Sequence, residues 1–414
     1  KPSSAASDVY KRQPSYGILI PNIRDKSISF KHIKDPGFGW CVLTSGPIEC
    51  DKGFKVRFDL RSPQPGKKDW SNTQVYLVES IEDKNILLGV TGSIAAYKSA
   101  DLASKLTQAG AKVDVIMTKS ASEFITPLTF KSITHRNVLS NLFNTEGSEG
   151  IMHVELAKKA DIYVVAPATA NTIFKVAHGQ ADDFVSIAAL ATNAPILLAP
   201  AMDAGMWEHD AVQNNVETLI SRKVCFVGPN EGYLASGLWG SGRFAESHEI
   251  LGAISQILGA NGPLKNKKVV VSAGGTIESL DPVRSITNRS SGKMGFAIAE
   301  AARDQGANVH LVAAPNNLVK PVGVTVTDIK SAAEMGTAVI KECQNADVLI
   351  MAAAVADFKP LNVEKQKVKR RGKENFTVDL VQNSDFFNKV PVSYTHLRAH
   401  ETDSYLVCRV LLEK

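Results

Sequence analysis

From Asn85 onward the chain alternates short, almost wholly apolar runs with helical stretches, and no other feature constrains the fold as much. Ile86-Leu87-Leu88-Gly89-Val90 is too short for a helix and too apolar for a strand with one wet face, so it reads as a strand covered on both sides. Residues 95–109 carry apolar positions at helical spacing, and Val113-Asp114-Val115-Ile116-Met117 is the next strand. Ile162-Tyr163-Val164-Val165, Ile196-Leu197-Leu198 and Val224-Cys225-Phe226-Val227 continue the series. Buried strands joined by helices predict a doubly wound parallel sheet, because parallel neighbours need a crossover connection. After the Gly259-Ala260-Asn261-Gly262-Pro263 break a second series begins at Lys268-Val269-Val270-Val271. It runs through Val309-His310-Leu311-Val312 and Val348-Leu349-Ile350-Met351. The expected class is α/β, with two doubly wound Rossmann-like domains of mostly parallel sheet over residues 83–260 and 264–390.

Residues 14–82 differ. Short alternating runs such as Lys55-Val56-Arg57-Phe58-Asp59-Leu60 and Gln74-Val75-Tyr76-Leu77-Val78, set among Gly, Pro and charged residues, predict a small β-rich segment with no catalytic constellation. The two ends, 1–13 and 391–414, are expected to be foreign to the protein. Back-translation of Asp8-Val9-Tyr10-Lys11-Arg12-Gln13 and of Val392-Ser393-Tyr394-Thr395-His396 gives DNA strings in which the second lies within the reverse complement of the first. Unrelated termini do not share an inverted repeat, and this one resembles a sequencing-library adapter. His396, His400 and Cys408 are therefore set aside as metal ligands.

The formal charge of +5 over 414 residues gives no reason to expect nucleic acid, and much of the excess sits between Lys365 and Lys373. Five scattered cysteines lack metal-ligand or disulfide spacing, which suits a reducing compartment, and no apolar run is long enough to cross a bilayer. A cytoplasmic protein acting on small molecules is expected.

Gly89-Val90-Thr91-Gly92-Ser93-Ile94-Ala95-Ala96 joins the first strand to its helix with small residues, letting backbone N–H groups and the helix dipole face a phosphate. Thr118-Lys119-Ser120-Ala121 ends the second strand at the same sheet edge, where open α/β folds bind ligands. Pro167-Ala168-Thr169-Ala170-Asn171-Thr172 and Pro200-Ala201-Met202-Asp203 end later strands there, and His153 opens the segment leading into a helix.

These motifs, in this order and spacing, resemble the flavin-containing cysteine decarboxylases, and in particular the decarboxylase half of the bifunctional coenzyme A enzymes. The resemblance implies FMN seated by Gly92, Ser93, Ser120, Thr169 and Ala170. It implies His153 as the base during oxidation of a substrate cysteine to a thioaldehyde, whose thiocarbonyl lets carbon dioxide leave. Asn171, with Met202 and Asp203, would hold the departing carboxylate. The chain departs from the family twice: Asp203 stands where Asn is usual, and the flap Leu234-Ala235-Ser236-Gly237-Leu238-Trp239 carries Ser236 where a cysteine helps return the final proton. A hydroxyl is a far weaker acid than a thiol of pKa about 8.5, so Ser236 does not simply inherit that role.

Val271-Ser272-Ala273-Gly274-Gly275-Thr276 is a second phosphate-compatible turn, followed by Asp281-Pro282-Val283-Arg284 and by Thr287-Asn288-Arg289-Ser290-Ser291-Gly292-Lys293. The Ser-Ser-Gly-Lys turn lacks the spacing of an ATPase phosphate loop, and a polar helix cap explains it equally well. Together with Ala352-Ala353-Ala354-Val355-Ala356-Asp357-Phe358 and Lys367-Val368-Lys369-Arg370, the set resembles the ligase half of the same enzymes. That implies CTP as cosubstrate, with Mg2+, activating phosphopantothenate as an acyl cytidylate that cysteine then attacks. Asn288 would hold the acyl cytidylate and Lys367 the developing phosphate charge. Gly275, Ser290, Ser291, Ala353, Ala354 and Asp357 would line the nucleotide and substrate pocket. The resemblance weakens near Asn383-Ser384-Asp385-Phe386 and stops near Val390, so an incomplete ligase domain is expected. The family also implies a homo-oligomer, trimeric through the flavin domain and dimeric through a complete ligase domain. The other readings are a flavoprotein decarboxylating a peptidyl cysteine, and a non-catalytic regulatory flavoprotein.

Overall fold

Strand β1 (Asn85–Val90) lies at the centre of a six-stranded sheet. The computed structural model describes residues 81–140, 149–369 and 377–386, with the backbone of short strands at 18–19, 41–44, 55–56 and 395–398. From β1 the chain runs through α1 (Ala96–Gln108), β2 (Lys112–Met117), α2 (Lys119–Phe124), α3 (Pro127–Thr134), β3 (Val138–Leu139) and α4 (Glu149–Lys159). It continues with β4 (Ile162–Ala168), α5 (Ala170–His178), α6 (Phe184–Ala191), β5 (Ile196–Pro200), α7 (Ala204–Trp207), α8 (Asp210–Ser221) and β6 (Cys225–Phe226). The spatial order is β3-β2-β1-β4-β5-β6, every pair parallel. The order reverses between β1 and β4, the doubly wound arrangement expected from the sequence. A hairpin, β7 (Asn230–Tyr233) and β8 (Trp239–Arg243), and α9 (Ser247–Gly259) complete this unit, which spans residues 78–260.

Burial explains the strands' apolar character. All seven residues of β4 are buried, and Leu87, Ile116, Val165 and Leu198 pack in one core with Ile173, Val185 and Leu219 from the covering helices. Helix α1 buries Ala96, Ser99, Leu102, Ala103 and Leu106, one stripe at helical spacing. Each buried leucine contributes about 1.5–3 kcal/mol from transfer out of water. Tyr163 is also fully buried, and its hydroxyl donates to the Val185 carbonyl at 2.7 Å, which satisfies the polar group. Gly89 runs over that ring: a Cβ there would come 2.8 Å from the tyrosine oxygen.

The second unit, from Asn261 onward, has β9 (Lys268–Ala273), the hairpin β10 (Ile277–Ser279) and β11 (Ser285–Thr287), α10 (Lys293–Asp304), β12 (Asn308–Ala313), β13 (Val324–Asp328), α11 (Ala332–Cys343) and β14 (Val348–Met351). A further pair, β15 (Phe358–Pro360) and β16 (Leu380–Gln382), is antiparallel. Its main sheet runs β13-β12-β9-β14 in parallel; beyond β14, Cys41–Thr44 pairs antiparallel with it, and Thr395–Arg398 pairs antiparallel with Cys41–Thr44 in turn.

The strands expected between residues 85 and 351 are present, several one to three residues longer, because small residues such as Ala166, Ala168, Ala199 and Ala273 continue the buried ladder; the one expected over 224–227 is shorter, Cys225–Phe226 alone. Helix α4 starts at Glu149, ahead of Gly150, so His153 lies inside the helix rather than before it. The β-rich segment expected at 14–82 lies outside the described residues, apart from an antiparallel pair of 18–19 with 55–56 and the strand at 41–44.

Candidate functional site

In the first unit the C-terminal ends of β1, β2, β4 and β5 lie side by side on one sheet edge, about the point where the strand order reverses. The loop after β1 turns sharply: Ser93 N–H donates to the Thr91 carbonyl at 2.9 Å and Ala95 N–H to Ser93 Oγ at 3.2 Å. Buried Thr91 Oγ1 donates to the Pro167 carbonyl at 2.7 Å, and buried Ser99 Oγ to the Ala166 carbonyl at 2.6 Å. The first bond fixes the β1 loop, and the second helix α1, to the end of β4. Neither residue stands out in the sequence as a linker; the signal is a hydroxyl just past a buried strand and another on the buried stripe of a helix.

Gly92 lies against the start of α2, where a Cβ would come 2.5 Å from Ser120 Cβ. Thr118 caps α2, its Oγ1 accepting from Ala121 N–H at 3.2 Å. Thr169 caps α5 by accepting from Thr172 N–H at 3.3 Å, which leaves Ala170 and exposed Asn171 in the first turn of that helix. Gly92, Ser93, Ser120, Thr169, Ala170 and Asn171 therefore share one edge with the N-termini of α1 and α5. Glycine-lined backbone, hydroxyls and first-turn N–H groups are the donor set that a phosphate-bearing cofactor needs. The geometry fits one. His153 lies in α4, and its side chain lies outside the described residues.

The loop after β5 meets the same edge: Ala201 N–H donates to the Ala168 carbonyl at 3.1 Å. Met202 N–H donates to the Gly242 carbonyl of the β7–β8 hairpin at 3.0 Å. Asp203 caps α7, accepting from Gly205 N–H at 3.2 Å, and its other carboxylate oxygen accepts from Ser236 Oγ at 2.6 Å. Asp203 and Ser236, each singled out in the sequence separately, are thus bonded to each other, a pairing 33 residues apart that sequence reading missed. Behind the hairpin, Glu246 accepts from Arg243 at 2.7 Å and Lys98 at 3.4 Å. Burial alone would raise the Glu246 pKa, but the two cations outweigh it and hold it below the usual value.

In the second unit Gly275 pairs with Ala354 as an isolated parallel bridge, and Thr276 N–H donates to the Ala354 carbonyl at 3.2 Å. Asn288 lies directly over Gly275, where a Cβ would come 2.6 Å from the Asn288 carbonyl oxygen. Its Nδ2 donates to the Ala354 and Val355 carbonyls at 3.3 and 3.2 Å. Gly292, left-handed at φ +75, turns Ser290 and Ser291 into α10. Gly275, Asn288, Ser290 and Ala354 are therefore gathered, Ala353 is tied to Ser272 Oγ at 3.3 Å, and exposed Asp357 accepts from Asn383 N–H at 2.7 Å through its carbonyl.

Lys367 is exposed, and its neighbour Val368 is clasped. Val368 N–H donates to Asp281 Oδ2 at 3.2 Å, and Arg284 Nη2 donates both to the Val368 carbonyl at 3.0 Å and to Asp281 Oδ2 at 2.6 Å. The Arg284 guanidinium, helped by backbone N–H groups and opposed by burial, holds the Asp281 carboxyl well below the ordinary carboxylate range. Among the described residues no group of three or more His, Cys, Asp or Glu is placed to hold a metal ion, and no helix is long and apolar enough to cross a membrane.

Residues 76–259 match the Flavoprotein family, and residues 264–399 match the family described as the DNA/pantothenate metabolism flavoprotein C-terminal domain. The chain is 44% identical over 314 residues to the coenzyme A biosynthesis bifunctional protein CoaBC of Vibrio cholerae, covering 76% of this chain and 78% of that protein. It is 42% identical over 313 residues to the protein of the same name from Bacillus subtilis, covering 75% and 77%. A solved PPC decarboxylase variant bound to pantothenoylaminoethenethiol is 29% identical, covering 42% of this chain and 97% of its own, with a TM-score of 0.38. With two such relatives matched over most of their length, and both halves matched by family patterns, the chain belongs to the family of bifunctional coenzyme A biosynthesis proteins.

Proposed function

We propose that residues 83–260 catalyse the FMN-dependent decarboxylation of phosphopantothenoylcysteine to phosphopantetheine. The observation that carries this reading is the cradle made by Gly92 against Ser120 beneath the N-termini of α1 and α5. Gly92, Ser93, Ser120, Thr169 and Ala170 would hold the cofactor there. FMN supplies the two-electron oxidation and its reversal, which make the cysteine side chain an electron sink for the leaving carboxylate. His153 would take up the proton released in that oxidation, as a neutral imidazole with a reference pKa near 6.5 can at neutral pH. Asn171 would hold the carboxylate through its amide N–H groups until the carbon–carbon bond breaks, and one carbon–hydrogen bond then forms in its place. The test is the purified protein's visible spectrum and carbon dioxide release from phosphopantothenoylcysteine. Yellow protein releasing carbon dioxide, with release lost but colour kept in His153→Asn, is the expected result. Colourless folded protein that FMN does not reconstitute would end the proposal. Carbon dioxide released only from a peptide ending in cysteine would move it to the peptidyl-cysteine reading.

For the second unit the reading is CTP-dependent joining of phosphopantothenate to cysteine. The supporting observation is Asn288, pinned between Gly275 and the Ala354–Val355 carbonyls with its backbone fixed at a phosphate-compatible turn. Any Mg2+ would enter on the nucleotide's phosphates, since this ion commonly keeps its waters and few protein ligands. Cysteine-dependent release of CMP from CTP and phosphopantothenate tests it. Homo-oligomeric assembly and a cytoplasmic location belong to the same proposal.

A further inference from the structure

The β7–β8 hairpin lies across the loop after β5, yet very little apolar surface holds its tip. Tyr233, Leu238 and Trp239 are 74%, 59% and 66% exposed, and the Tyr233 and Trp239 rings meet each other edge-on, centroids 5.0 Å apart. The tip closes on itself, with Leu234 N–H donating to the Leu238 carbonyl at 2.9 Å and Gly237 N–H to the Leu234 carbonyl at 3.0 Å. At its base the hairpin is stitched down by the Met202–Gly242 bond and by Gly240, where a Cβ would come 2.7 Å from Ala204 Cβ. Between these, the bond from Ser236 to Asp203 ties the tip to the site loop.

We propose that Asp203 and Ser236 form a latch that holds this hairpin closed over the sheet edge, Asp203 acting as a positioning residue rather than a substrate ligand. The inference rests on the decarboxylase reading for the identity of what the hairpin covers. Asp203 spends one carboxylate oxygen on the Gly205 N–H and the other on the Ser236 hydroxyl. Its charge is thereby directed into two donors that are already in place, away from an incoming carboxylate. The same geometry removes Ser236 from proton transfer to substrate. Its hydrogen points at an anion, and a hydroxyl donating to an ionised acceptor is a poorer acid than an unpaired one. The final proton of the reaction therefore comes from another group or from water, and the contribution of Ser236 is closure.

The test is amide hydrogen exchange of residues 234–239 in the full chain, combined with steady-state kinetics. Ser236→Ala and Asp203→Ala should each speed exchange at the tip by about threefold to tenfold, the scale of one exposed hydrogen bond to a charged group, and the double variant should exchange no faster than either single one. Ser236→Thr, which keeps the hydroxyl, should restore slow exchange. In turnover, Ser236→Ala should raise KM by a similar factor and lower kcat by less. Additive effects on exchange, or wild-type exchange in both single variants, would overturn the latch. So would accumulation of the enethiol product in Ser236→Ala at unchanged KM, which would make the serine hydroxyl the proton donor. The exchange experiment needs no substrate. If the wild type releases no carbon dioxide while the exchange coupling holds, the decarboxylase reading falls and the latch stands.

Discussion

Gly92 packs its bare Cα against Ser120, so closely that a methyl group on the glycine would sit 2.5 Å from the serine Cβ. Two loops from neighbouring strands meet there without a gap, and the backbone proposed to hold the cofactor's phosphate owes its shape to that contact. Gly92→Ala must push the loops apart, against a Thr91–Pro167 bond that resists movement. The expected outcome is a protein that still unfolds cooperatively but retains FMN at least about tenfold less well, since displacing well-placed donors by a fraction of an ångström weakens several bonds at once. Flavin absorbance after gel filtration, beside far-UV circular dichroism, checks both halves.

A second glycine concerns stability alone. Gly89→Ala brings a methyl group within 2.8 Å of the Tyr163 hydroxyl in the fully buried centre of the sheet. Over-packing of this kind costs about 1–3 kcal/mol. Tyr163→Phe removes the obstructing oxygen together with its hydrogen bond to the Val185 carbonyl, at a cost of about 0.5–1.5 kcal/mol. The double variant should therefore lose less than the sum of the singles. Urea denaturation of all four proteins measures the coupling, and strict additivity would contradict the packing described.

The Asp281–Arg284–Val368 clasp makes a pH prediction of fixed sign. The folded Asp281 carboxyl titrates below its unfolded value of about 3.9, so its contribution is complete above that pH. It is lost only as pH falls through the lowered folded value. Asp281→Asn should flatten the dependence of the second unit's thermal midpoint below about pH 4. At neutral pH it should speed tryptic cleavage at Lys367, whose neighbour loses its main-chain anchor. Unchanged cleavage would show that the clasp does not hold this segment.

The cysteines divide by environment. Burial pushes the Cys343 thiol up to about 12, while half-buried Cys225 is raised less, also by burial. The thiolate is the reacting form. Iodoacetamide at pH 8 should label Cys225 slowly and leave Cys343 untouched until the protein unfolds, as read by peptide mass mapping. Modification of native Cys343 at a rate matching Cys225 would contradict the packing of α11.

What could be read in advance follows from range. Strands such as Asn85–Val90 and Lys268–Ala273 are buried on both faces, so local composition alone marks them, and the helix of residues 96–108 carries its own period. Val324–Asp328 has alternating threonines at a partly exposed edge, which gives no continuous apolar signal. The loops of the site were legible because glycine and hydroxyl residues follow buried strands. The bonds that join them were not, because Thr91 to Pro167 spans 76 residues and Ser236 to Asp203 spans 33, and no local pattern encodes a partner.

The pairing of β1 with β4 also sets an order of events. Ile86 meets Ile162 only after the intervening strands and helices have been bridged, a long-range closure that is slow to form. The loops after β1 and β4 acquire their relative position from that pairing. A cofactor gripped by both loops can therefore be bound only once the sheet has assembled, so loading is a late event in the life of the chain.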